Sequence, residues 1–203
     1  MDFNQQQELM SLYSANSLAR KPFGERISFS ESGVSPVNIP ERFKIRNFRP
    51  IQGLDLRKLS TSISRDLSKQ GITDRVYVSQ VISGLCEAVK NAYEHGNKEE
   101  GSKDIFFAKC YERKNIEFLV GDCGNELNGH FIPFVLLFRQ KGEKSFFGNI
   151  PDFYSFSGEM YAPQGHSGVG TKTMHIGFDD VRYFVSPFGG LLVYLSRNFP
   201  NVL

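Results

Sequence analysis

Charge of one sign is what this chain most plainly lacks. With 24 basic and 22 acidic residues among 203, it has no strong electrostatic footprint for nucleic acid, and nucleic acid is not expected as a partner. Long hydrophobic runs are missing too. The longest, "HFIPFVLLF" at 130–138, falls far short of the ~20 residues that a membrane-spanning helix needs. The opening "MDFNQQQELMSLY" has no basic start followed by an apolar stretch, so it does not read as a secretory signal. Cysteine is scarce: Cys86, Cys110 and Cys123 are odd in number and show no C-x-x-C spacing. That excludes a disulfide framework or a zinc pattern, suits a reducing compartment, and leaves the three thiols as buried small apolar residues. The expectation is a cytoplasmic protein with no membrane partner. No internal repeat is found.

What is present suggests one domain with an extension. Residues 1–40 are polar, rich in Gln and Ser and broken by Pro36 and Pro40. They offer little apolar surface to offset ordering entropy, so a partly disordered arm is expected, with room for a short helix around 5–18. The domain proper is expected over 41–203. "RFKIRNF" at 42–48 alternates as a first strand. Leu54, Leu56, Leu59, Ile63 and Leu67 then recur at near-helical spacing before a Gly71 stop. A second helix opens at Thr73 or Asp74 as its cap, with an apolar stripe through Val78, Val81, Ile82, Leu85, Val89 and Ala92.

Two strands follow, "DIFFAKCY" and "NIEFLVGD", joined by "ERKN". Residues 125–165 show no periodicity and many Gly and Phe, as expected of a lid or a disordered loop. A glycine-rich turn, a helix over about 168–178, and the strands "VRYFVS" and "LLVYLS" around a "PFGG" turn complete the chain. Hairpins and helices with few β-α-β alternations predict an α+β fold: a two-layer sandwich whose mostly antiparallel mixed sheet is covered by helices on one face.

Three short stretches carry chemistry. In "CEAVKNAYEHGN", Glu87, Asn91 and His95 fall at four-residue intervals on one helical face, nearly opposite the apolar stripe. Alone, that row is what any amphipathic helix displays. "VGDCG" ends a strand with Asp122, an acceptor for an amino group, two residues before Gly124, where backbone can approach a ligand closely; it also reads as an ordinary strand-to-loop turn. "GHSGVGTKTM" places Gly165, Gly168 and Gly170 before a helix. Unpaired N–H groups and the helix dipole there suit phosphate, although the spacing is not that of a P-loop. In this order the three could surround one nucleotide: a metal and a base, then adenine, a lid, and a phosphate cradle.

On these residues the chain resembles the GHKL, or Bergerat-fold, ATPases, and within them the anti-sigma-factor serine/threonine kinases. "EAVKNAYEHGN" is similar to their N box, "DCG" to the first glycine box, "GHSGVGTKTM" to the second, and "DDVRYFVSPFGGLLVYLS" to the closing strands. The resemblance spans about 40–198 and implies a Bergerat sandwich with an ATP lid, ATP and Mg²⁺ as cofactors, and serine phosphorylation of a partner antagonist protein. It implies Asn91 as the Mg²⁺ ligand and Glu87 as the general base. It implies Asp122 and Gly124 around adenine, and the backbone of Gly168, Val169, Gly170 and Thr171 around the phosphates. His95 would approach the phosphates or close the helix. A sigma factor as second partner also comes with the resemblance; a homodimer is left open, since the sequence does not give the oligomeric state.

A non-catalytic nucleotide-gated binding module, or a slow ATPase, would use the same fold. Where many relatives run D-x-G-x-G, this chain has Glu126 at the last position. The phenylalanines of the expected lid either pack it against the body or form a docking surface.

Overall fold

The strands of the main sheet carry apolar side chains on both faces, and helices cover one of them. The structure is a computed structural model and describes residues 7, 26–28, 36–50, 54–128 and 169–200. In chain order the elements are β1 (Arg26–Ser28), β2 (Arg46–Phe48), α1 (Leu56–Lys69), α2 (Arg75–Asn91) and a π-helical turn (Ala92–Gly96). Then come β3 (Ile105–Tyr111), β4 (Asn115–Gly121), β5 (Glu126–Asn128), α3 (Val169–Gly177), β6 (Asp180–Val185) and β7 (Leu191–Asn198). The main sheet has five strands in the order β2-β3-β4-β7-β6, and every pairing in it is antiparallel. The fold is α+β. The expected mixed sheet is wholly antiparallel among the described strands, because each neighbouring pair is joined with reversed direction.

Register fixes the two faces. Phe107 lies opposite Val120, Phe118 opposite Leu195, and Tyr183 opposite Val193. These residues, with Ile105 and Ile116, meet Ile63, Leu67, Tyr77, Val81 and Leu85 from the helices in one core. The alternate residues Ala108, Leu119 and Leu192 face the other way and pack with Phe43, Val37 and Ile39. Below them Glu117, buried to 6% exposure, accepts hydrogen bonds from Arg42 (3.0 Å) and the Tyr194 hydroxyl (2.8 Å).

The helix ends follow the sequence closely. Asp55 caps α1 through the Arg57 N–H, and Gly71 takes up φ +79° beyond its C-terminus. Asp74 caps α2, accepting from Val76 N (2.8 Å) and Tyr77 N (3.1 Å). In the β6–β7 turn, Ser186 and Gly190 share a 2.7 Å backbone bond and Gly189 has φ +84°.

Other expectations are corrected. The first strand is confined to Arg46–Phe48, because Phe43 is drawn into the second core and takes residues 42–45 out of the ladder. Within the expected arm, Val37 N donates to Val185 O at 3.0 Å, and β1 pairs with β5, setting Ser28 opposite Glu126. Residues 36–43 therefore cross the face that the helices leave uncovered. That crossing needs only the few apolar side chains the arm possesses. Strand β5 also lies inside the span expected to be lid. The three cysteines are free and half-buried rather than fully buried.

The expected helix around 5–18 and the rest of the expected lid fall outside the described residues, apart from residue 7, which is helical. Among the described residues no helix is long and apolar enough to cross a membrane.

Candidate functional site

Helix α2 buries Tyr77, Val81, Leu85, Ala88 and Val89, which turns Glu87 and Asn91 to its half-buried flank. Helix α3 lies along that flank. A Cβ on Gly170 would come within 2.8 Å of Glu87 Oε2 and 3.7 Å of Asn91 Oδ1, one on Gly177 within 2.6 Å of the Gln80 carbonyl, and one on Gly84 within 2.9 Å of the Phe178 ring. Contact positions fall along α2 as they rise along α3, so the two helices run antiparallel. Glycines at 84, 170 and 177 permit the close approach. The result sets a carboxylate and an amide oxygen beside the first turn of a helix, where backbone N–H groups lack intrahelical partners.

The second cluster forms where α2 passes into the π-helical turn. Asp122 is 3% exposed. Its Oδ1 accepts from Gly124 N at 2.9 Å, and its own N–H donates to Leu191 O at 3.0 Å. Three glycines surround it without space for a side chain. A Cβ on Gly96 would overlap the Asp122 carboxylate, one on Gly190 its backbone carbonyl, and one on Gly124 the Gly96 carbonyl. The π-turn, the D-x-G loop and the β6–β7 hairpin therefore meet at one carboxylate.

Of the residues singled out from sequence, Glu87, Asn91 and Gly170 come together, as do Asp122 and Gly124, with Gly96 joining the second group to the end of the same helix run. Val169 and Thr171 belong to the first turn of α3, while Gly165 and Gly168 lie outside the described residues. His95 sits in the π-turn and is exposed. The π-turn changes the angular step after Asn91, so His95 does not follow Glu87 and Asn91 in an α-helical row.

Glu126, at the last position of the Asp122-x-Gly124-x-Glu126 stretch, pairs its carboxylate with Lys98 Nζ at 2.7 Å. Lys98 and Asn125 have φ of 55° and 57°, a left-handed conformation that non-glycine residues seldom adopt. Such backbone on both sides of the Asp122 cluster marks a locally constrained region.

Several contributors escaped the sequence reading. Asn97 is 0% exposed, yet in the chain it looks like an ordinary polar residue closing a helix. Gly96 and Gly190 likewise read as stop and turn residues.

The donor chemistry fits a hard cation. Asn91 and Glu87 offer oxygens, which Mg²⁺ accepts alongside phosphate and water. On the opposite face of the sheet, ligand atoms of Cys110, Glu112 and Glu117 lie within 4.8 Å of one another. There Arg42 and Tyr194 already engage Glu117. A groove of about 260 Å³ lined by Val37, Phe43, Leu119 and Leu192 is on that face as well, across the sheet from Asp122. A scan against protein-family models finds no match to this chain, and a search of curated proteins finds none either.

Proposed function

We propose that the chain is a GHKL-type, Bergerat-fold protein that binds ATP with Mg²⁺ and acts as a serine/threonine kinase of the anti-sigma-factor type on a partner antagonist protein. One observation carries this reading. Glu87 and Asn91 converge on the glycine start of α3, and a turn further along the same helix run Gly96 meets the buried Asp122. The two groups thus offer a phosphate end and a base end to one ligand.

The division of labour follows from the residue types. Asp122 accepts a hydrogen bond from the exocyclic amino group of adenine, which guanine does not present at that position. The first N–H groups of α3, at Val169, Gly170 and Thr171, bind phosphate oxygens, with no side chain at 170 to block the approach. Asn91 supplies an oxygen to the metal, and Mg²⁺, when bound, neutralises phosphate charge. Glu87 takes the proton of the attacking serine hydroxyl. Phosphoryl transfer relies mainly on positioning and charge compensation, so this small set suffices.

A second reading, a nucleotide-gated binding module without transfer, draws support from the root of the expected lid. There the Lys98–Glu126 ion pair and the β1–β5 ribbon replace a glycine hinge. Calorimetry with ATP, with and without Mg²⁺, on the wild type and Asn91→Ala tests what both readings share. Metal-dependent binding is expected in the wild type and is lost in the variant. Equal affinity in the two proteins removes Asn91 from the site.

A further inference from the structure

We infer that Asn97 is a positioning residue: its buried side chain locks the Asp122-Cys123-Gly124 loop to the end of the α2 run and thereby sets nucleobase selectivity. The inference deepens the nucleotide reading above and depends on it for the base-selection step. The lock itself stands on hydrogen bonds among Asn97, Asp104 and Cys123.

Asn97 is 0% exposed. Its Nδ2 donates to Asp104 O at 3.0 Å, just before β3. Its Oδ1 accepts from Cys123 N at 3.1 Å and lies 3.6 Å from the Cys123 thiol. Its own N–H donates to Ala92 O at 2.8 Å, closing the π-turn. One side chain thus joins three segments of the chain. Its orientation is fixed by the partners, because Asp104 O can only accept and Cys123 N can only donate. A flipped amide would set oxygen against oxygen and N–H against N–H.

Asparagine's one-carbon stem and its donor–acceptor pair suit this place. Aspartate lacks the donor, serine is shorter, and an apolar residue leaves both backbone groups unpaired. The bonded residue, Cys123, is flanked by the two residues assigned to the base. Asp122 precedes it, and Gly124, packed against the Gly96 carbonyl, follows. With Cys123 N released, the loop loses its backbone anchor to the α2 run and keeps there the Asp122–Gly124 turn and the weaker Cys123 thiol bond to Asp104 O at 3.5 Å, so the bearing of the carboxylate loosens. A hydrogen-bond acceptor that selects one base over another depends on such bearing, whereas phosphate binding at α3 does not.

The test uses the full chain with Cys86→Ser and Cys110→Ser, so that Cys123 is the only thiol. Asn97→Ala and Asn97→Asp are compared with Asn97, and folding of each is checked by circular dichroism. Two readouts are taken: the ratio of ADP to GDP affinity with inorganic triphosphate as control, and the reaction rate of Cys123 with an aromatic disulfide reagent. In Asn97→Ala the ADP preference is expected to fall by about tenfold or more while triphosphate affinity holds within about twofold. Cys123 is expected to react at least about tenfold faster. Asn97→Asp, which keeps the acceptor for Cys123 N–H but sets a buried oxygen against the Asp104 carbonyl, should retain more of the preference than Asn97→Ala and less than Asn97. Where Asn97→Ala does not fold, Asn97→Ser is read in its place.

A folded variant with unchanged ADP preference overturns the base-selecting role. An equal loss for ADP, GDP and triphosphate also overturns it, as the effect is then general. If the wild type binds neither nucleotide, the nucleotide reading and the base-selecting role fall together. The thiol rate then decides the lock alone, and an unchanged rate removes it.

Discussion

Around Glu87 a glycine faces the far end of a flexible side chain, whereas around Asp122 two of the three glycines, Gly124 and Gly190, face backbone first and Gly96 faces the carboxylate. Gly170 meets a carboxylate oxygen that can swing aside, while Gly190 meets the Asp122 carbonyl and Gly124 the Gly96 carbonyl. The first cluster is therefore adjustable and the second is set by the fold. Their proposed tasks match this difference. Transfer chemistry must accommodate metal, phosphate and an incoming hydroxyl, while base recognition needs an acceptor at a fixed place.

The largest effect is expected at the adjustable end. Glu87→Ala should slow ATP turnover, whether to protein or to water, by at least ~10²-fold, about 2.7 kcal/mol of transition-state stabilisation, with ATP affinity nearly unchanged. Turnover at wild-type rate would take Glu87 out of the chemistry and leave the binding-module reading.

Adding one methyl group at each end sharpens the comparison. Gly190→Ala must move the backbone of Asp122 and should cost about 1–3 kcal/mol of folding stability. Gly170→Ala displaces only a carboxylate, and alanine suits a helix better than glycine, so less than about 1 kcal/mol is expected. Turnover should nevertheless drop in Gly170→Ala, because the displaced group is Glu87. Urea denaturation of both variants checks this, and equal stability losses would show that the two ends are built alike.

The sequence disclosed elements far better than it disclosed contacts. Asp74, Gly71 and the Ser186–Gly190 turn act locally, through caps and backbone conformation, so their positions were legible. Strand order was not. Nothing in "NIEFLVGD" indicates that β4 takes β7 as its second neighbour across some 70 residues. Residues 36–40 of the expected arm pack although Val37 and Ile39 look too sparse to fold, because a sheet face awaits them. The candidate groups Glu87, Asn91 and Asp122 were legible through residue type and order. Gly96 and Asn97 were not, since a buried polar clamp and a helix ending share the same letters.

The smallest effect expected concerns the far end of the candidate phosphate helix. His175, in the last turn of α3, has its pKa lowered by burial, and its Nε2 has no hydrogen-bond partner among the described residues. Above the unfolded value of about 6.5 both states are neutral and His175 contributes no pH dependence. As pH falls below that value the unfolded chain takes up the proton first, so stability is lost until the folded pKa is reached. Asp66 also has a depressed pKa, chiefly through its hydrogen bond from Lys109. Its contribution is present above the unfolded carboxylate value of about 3.9 and fades below it, so the two windows separate. Thermal midpoints between about pH 7.5 and 5.5 should therefore decline in the wild type and decline less in His175→Gln. Identical slopes would mean that α3 admits a protonated imidazole, and that its packing on α2 is looser than the Gly84 and Gly177 contacts imply.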